Sequence, residues 1–140
     1  KRADWRHRML DYPEDLLYNH RHAWVRPDRE NHVAEVGLTE DRLEVTPPII
    51  SIDMPMLQDE LEIDTDCLHL HLSAGIQSVR SPLTGRVLEV NKDVLDNPEV
   101  LHVDGYKNWL FRMEYDAEDE LELLMTPKQY AQYLDHMDRS

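Results

Sequence analysis

The stretch "HLHLSAGIQSVRSPLTG", residues 69 to 85, decides how the rest of the chain is read. Alternation leads into it: Leu68, Leu70 and Leu72 share one face of a strand, and Cys67, His69 and His71 share the other. A small-residue turn, Leu72-Ser73-Ala74-Gly75, interrupts the pattern. A Ser-Pro-x-x-Gly corner follows at Ser81 to Gly85, then a further strand, "RVLEVN", with Val87 and Val90 as core positions.

Working outward, the same signals repeat. "HAWVR" (22–26) and "HVAEVGL" (32–38) read as strands around the polar turn "PDREN", and "IISIDM" (49–54) and "NWLFRMEY" (108–115) as two more. Helical signals are short. Pro13 before "EDLLY" predicts one or two turns, with proline first and acids early. Thr39 caps "EDRLEV", which Pro47-Pro48 stops. Thr126-Pro127-Lys128-Gln129 is a capping box opening a C-terminal helix whose Tyr130, Leu134 and Met137 form one apolar stripe. Trp24 and Trp109 fall within strand patterns as core anchors, and Trp5 outside them as an exposed residue. Many short strands with helical trimmings predict a mainly β sandwich or barrel.

The chain's 140 residues suffice for one domain, and 41% hydrophobic content argues against wholesale disorder. A formal net charge of -14 argues against duplex nucleic acid and anionic membrane surfaces as partners, and leaves basic protein surfaces open. With Cys67 alone there is neither an internal disulfide nor a cysteine metal cage. The start, "KRADWRHRML", lacks the apolar core of a secretory signal. It reads as a basic tail over residues 1–12, flexible or loosely docked, before a single domain over 13–140 of a cytoplasmic protein.

The order of features resembles the H-protein family of the glycine cleavage system. The residues that carry it begin with Tyr18, His22-Ala23-Trp24-Val25-Arg26, Val33-Ala34 and Val36-Gly37-Leu38-Thr39. Ser81-Pro82-Leu83-Thr84-Gly85-Arg86-Val87, Glu89-Val90-Asn91, Asn97-Pro98-Glu99 and Trp109-Leu110 follow in the same order. The resemblance implies a barrel-sandwich hybrid of lipoyl-domain type with short flanking and C-terminal helices. It also implies an exposed hairpin whose lysine carries lipoic acid between a decarboxylase, an aminomethyltransferase and a flavin dehydrogenase. The family's Glu-Ser-Val-Lys tetrad, counted back from Ser81 without gaps, falls on His71, Leu72, Ser73 and Ala74, so Ala74 stands at the acceptor position. The only lysines are Lys1, Lys92, Lys107 and Lys128. The loop Asp104-Gly105-Tyr106-Lys107 also departs from the family pattern, with one residue fewer before Trp109.

Lipoylation makes an amide on a primary amine, and among side chains only lysine supplies one. The hairpin Leu72, Ser73, Ala74 and Gly75 is thus read as a lost attachment site, with no lipoate and no other cofactor expected. His69 and His71, two apart on a strand, could chelate a transition metal, and His20 and His22 repeat the spacing; without a third ligand in the pattern no metal site is expected. Glu114, Asp116, Glu118, Asp119, Glu120 and Glu122 read as the acidic start of a helix, and Glu118, Asp119 and Glu120 as docking candidates for a basic partner. No nucleophile elbow is present, and no enzymatic activity is expected. The reading is a non-catalytic protein-binding, scaffold or regulatory domain. Its expected partner is glycine decarboxylase, aminomethyltransferase or a lipoate-pathway enzyme. Two alternatives stand beside it: an accessory H protein of a working glycine cleavage system beside a lipoylated paralogue, and a repurposed acidic interaction module.

Overall fold

The computed structural model describes residues 5–139. In chain order the elements are α1 (Trp5–Met9), β1 (Leu17–Tyr18), β2 (Ala23–Asp28), β3 (Val33–Leu38), α2 (Glu40–Glu44), β4 (Ile49–Asp53), β5 (Glu60–Leu61) and β6 (Asp66–Leu72). They continue through β7 (Gly75–Arg80), β8 (Gly85–Val90), α3 (Lys92–Asp96), α4 (Val100–Val103) and β9 (Phe111–Tyr115) to a 3-10 turn over Glu118–Leu123 and α5 (Pro127–Arg139). One sheet runs β1-β2-β3-β9-β8-β5 and the other β4-β6-β7, every pairing antiparallel. The mainly β architecture with short helices is the one the alternation predicts.

The core between the sheets comes from the inward half of each alternating strand. Leu68 and Leu70 of β6 are buried with Val79 of β7, Ile52 of β4, Val36 of β3 and Val87 of β8. Burying a side chain of that size contributes about 1.5–3 kcal/mol. Pro27, which has no N–H to give, sits in β2 where β1 has already ended, so no neighbour on that side lacks a donor.

A second, aromatic cluster lies under α5, built from Tyr12, Tyr18, Trp24, Tyr130 and Leu134. The Trp24 ring packs over Gly37, its cross-strand partner, where a Cβ would fall 2.3 Å from the indole. The Trp24 indole N–H donates to the Gly105 carbonyl at 3.0 Å, which fixes the departed loop at 104–107 against the sheet. Tyr18 and Tyr130 stack at 4.7 Å.

Several expectations change. "EDLLY" is no helix: it ends in β1, because Tyr18 pairs with Trp24 and, through both backbone bonds, with Met125. Within the stretch expected as a tail, Trp5–Met9 form α1, held on α5 by the buried Arg8 pairing with Asp138 and by Lys128 over the Trp5 ring. Trp5 is accordingly half-buried rather than exposed. Met137 of the expected stripe faces solvent, while Tyr130 and Leu134 are buried. No helix among the described residues is long and apolar enough to cross a membrane.

Candidate functional site

The hairpin of β6 and β7 closes in two residues, Ser73 and Ala74, with Leu72 opposite Gly75. Alternation brings Leu68 and Leu70 into the core and leaves the turn beyond reach of it, so Ser73, Ala74 and Gly75 are all exposed and Leu72 is half-buried. Gly75 has φ +151 with nothing within 4 Å of a Cβ built on it: the glycine serves the backbone bend and not close packing. The tip therefore presents a hydroxyl and a methyl group to solvent. Lys92 lies in α3, Lys107 in the loop before β9 and Lys128 in α5, none of them on this hairpin.

At the hairpin's base the outward face of β6 carries His69 and His71, as the alternation predicts, while Cys67, at a register shift between Asp66 and Leu68, packs against the core. His71 Nε2 meets an Asp53 carboxylate oxygen of β4 at 2.7 Å, a pair open to solvent on the aspartate side. His69 stands in register with Asp53 and Ser78. Among the described residues no group of three or more His, Cys, Asp or Glu is placed to hold a metal. His20 and His22 do not repeat the strand geometry. His22 has φ +66 ahead of β2, its Nδ1 lies 2.8 Å from the Tyr130 hydroxyl, and His20 packs edge-on to Tyr133. Burial pushes the Cys67 thiol up to about 12, assisted by Asp66, so it is a packed thiol and not a nucleophile.

The acidic run is divided between two elements: Glu114 lies in β9, and Glu118, Asp119 and Glu120 form the acidic first turn expected of a helix start, here a 3-10 turn. Glu114, the residue before the end of β9, pairs with Arg86 at 2.8 Å. Glu118 takes a hydrogen bond from Arg29 at 3.1 Å and one from the Tyr115 hydroxyl at 3.2 Å. Glu120 is engaged most fully: its carboxylate accepts the Thr84 N–H at 2.7 Å and the Thr84 hydroxyl at 2.8 Å. That clasp holds the Ser-Pro-x-x-Gly corner, where Ser81 is buried with its hydroxyl on the Leu83 carbonyl at 2.6 Å. Asp119 is the exposed member of the three docking candidates and has no side-chain partner among the described residues. Sequence reasoning missed the clasp, since Thr84 and Glu120 are joined only by the fold.

It also missed Arg42. Thr39 caps α2 as expected, accepting the Arg42 N–H at 3.2 Å. The Arg42 guanidinium crosses to the Arg21 carbonyl at 3.4 Å and the Ser78 carbonyl of β7 at 3.5 Å. It thereby spans from the β1–β2 turn to the hairpin's outer strand.

The family model of the glycine cleavage H-protein matches residues 16–137. The glycine cleavage system H protein of Halothermothrix orenii is 30% identical over 130 residues, 92% of this chain and 100% of the relative. That of Bifidobacterium longum is 37% identical over 116 residues, 82% of each. Among solved structures, a glycine cleavage system H protein from Mycobacterium marinum superposes with a TM-score of 0.76 at 22% identity, covering 88% of this chain and 98% of that one. With the family model matched from residue 16 to residue 137 and relatives at 30% identity or more over most of both chains, the chain belongs to the glycine cleavage H-protein family.

Proposed function

We propose that this chain is an H-protein-like domain without a lipoyl arm, a non-catalytic protein that works by binding a protein partner of glycine cleavage or lipoate metabolism as scaffold, decoy or regulator. The observation that carries the reading is Ala74 at the exposed hairpin tip, with Ser73 its only neighbour in the turn. A lipoyl group is joined through an amide to a primary amine, and the tip offers none. The group does not fit this turn. A methyl side chain has neither the reactive atom nor the reach to visit another active site.

Membership of the glycine cleavage H-protein family supports a protein partner, and glycine decarboxylase, aminomethyltransferase or a lipoate-pathway enzyme is the partner the resemblance implies. The test is a reconstituted glycine cleavage assay. Substituted for a lipoylated H protein, the purified chain should give no turnover. Added in excess beside one, it should inhibit competitively. Turnover supported by this chain alone would overturn the reading.

A further inference from the structure

We infer that the outer edge of β7, with Arg42 at its side, is a docking site for an extended, apolar segment of a partner protein that bears a carboxylate. Arg42 is the residue that calls for a ligand. Arg8, Arg26, Arg29, Arg80, Arg86 and Arg112 each pair with a carboxylate. Arg42 makes no ion pair among the described residues, in a chain holding 29 Asp and Glu. The only hydrogen bonds of its guanidinium there are the two to carbonyls, both near the distance limit. Burial lowers its pKa with no neighbouring charge to offset that cost. A half-buried guanidinium is stabilised most by a carboxylate that meets its planar fork.

The surroundings suit such a ligand. No Asp or Glu occurs from Cys67 to Leu88, and the two acids at the hairpin's base are engaged, Asp66 with Arg80 and Asp53 with His71. Burial lowers the His22 pKa, and the positive charge of Arg42 adds to that lowering. The nearest acid in sequence, Asp41, also reaches His22 but is bound by the Tyr12 hydroxyl at 2.6 Å. An acidic segment that the rest of this chain would repel meets a neutral-to-basic face here.

The backbone supplies the second half of the site. β7 is an edge strand, paired with β6 alone, and its Ser78 carbonyl points outward to Arg42. An edge strand offers unpaired N–H and C=O groups to an incoming extended chain. Two residues along on the same face, Ile76 is 62% exposed and gives an apolar contact.

The inference rests on the protein-binding reading only in taking a polypeptide as ligand, and its test contains no glycine cleavage component, so either can fail alone. The probe is a capped pentapeptide with one central glutamate among valines, titrated into the 15N-labelled full chain. Saturable shifts are expected at the Arg42 Nε–H and the amides of residues 20–22 and 76–80. Arg42→Met, checked as folded by its amide dispersion, should weaken binding on the order of ten- to hundred-fold. Arg42→Lys, which keeps charge without the fork, should weaken it less, and Arg29→Met not at all. Equal binding by the glutamine analogue of the peptide, or by the Arg42→Met chain, would overturn the proposal. Free glutarate binding as tightly as the peptide would replace it with a small-molecule site.

Discussion

The hairpin and corner between Cys67 and Leu88 contain no acid, whereas residues 114–122 contain six, and the two regions are joined where Glu120 clasps Thr84. By composition the acidic region is the obvious docking surface and the hairpin is chemically empty. The structure divides the roles otherwise. Glu114, Glu118 and Glu120 are engaged with Arg86, Arg29, Tyr115 and Thr84, and mainly hold strands and the corner in place. The hairpin tip is exposed, and the β7 edge has no neighbouring strand beyond β6 and meets Arg42 only through the Ser78 carbonyl. A charge count says where acids are, and only geometry says which are already occupied.

Substitutions at the two regions can break this comparison, and the largest effect is expected at Gly85. A Cβ there would lie 2.0 Å from the Glu114 carbonyl oxygen and 2.8 Å from the Tyr115 Cα, both backbone atoms of β9. Gly85→Ala should cost about 3 kcal/mol in urea unfolding, since the strands must separate to admit it. A cost below 1 kcal/mol would mean the corner is looser than its contacts say.

Glu120→Ala comes next. It strips two hydrogen bonds from Thr84, one of them to its backbone, and should cost about 2 kcal/mol, against within about 0.5 kcal/mol for Asp119→Ala. Equal costs would return Glu120 to the solvated face and restore all three residues as docking candidates. Gly75→Ala should cost about 1 kcal/mol, from φ alone, because nothing crowds the site. At the far end of the scale, Ala74→Lys should shift stability by less than about 0.5 kcal/mol, as an exposed turn residue without packing partners.

How much was legible follows the range of the interactions. The β6 alternation, the Thr126–Gln129 capping box and the Thr39 cap are local, and each forms as read: Thr126 N–H meets Gln129 Oε1 at 2.9 Å and the Gln129 N–H meets the Thr126 hydroxyl at 3.2 Å. The exposed hairpin turn was legible because small residues interrupt the β6 alternation after Leu72. What was misread is decided by distant partners. "EDLLY" carries helix-start chemistry, yet Tyr18 gains more from pairing with Trp24 and Met125. α1 needs Asp138, 130 residues from Arg8. Arg42 reads as an ordinary helix arginine until β7 is folded beside it.

The central claim is that this family member has lost its arm, and intact-mass spectrometry after co-expression with a lipoyl ligase and supplied lipoate tests it most directly. The account predicts the mass of the bare polypeptide for the native chain, with a lipoylated H protein in the same cells confirming that the ligase is active. An increment of one lipoyl group on the native chain, mapped to Lys1, Lys92, Lys107 or Lys128, would contradict it.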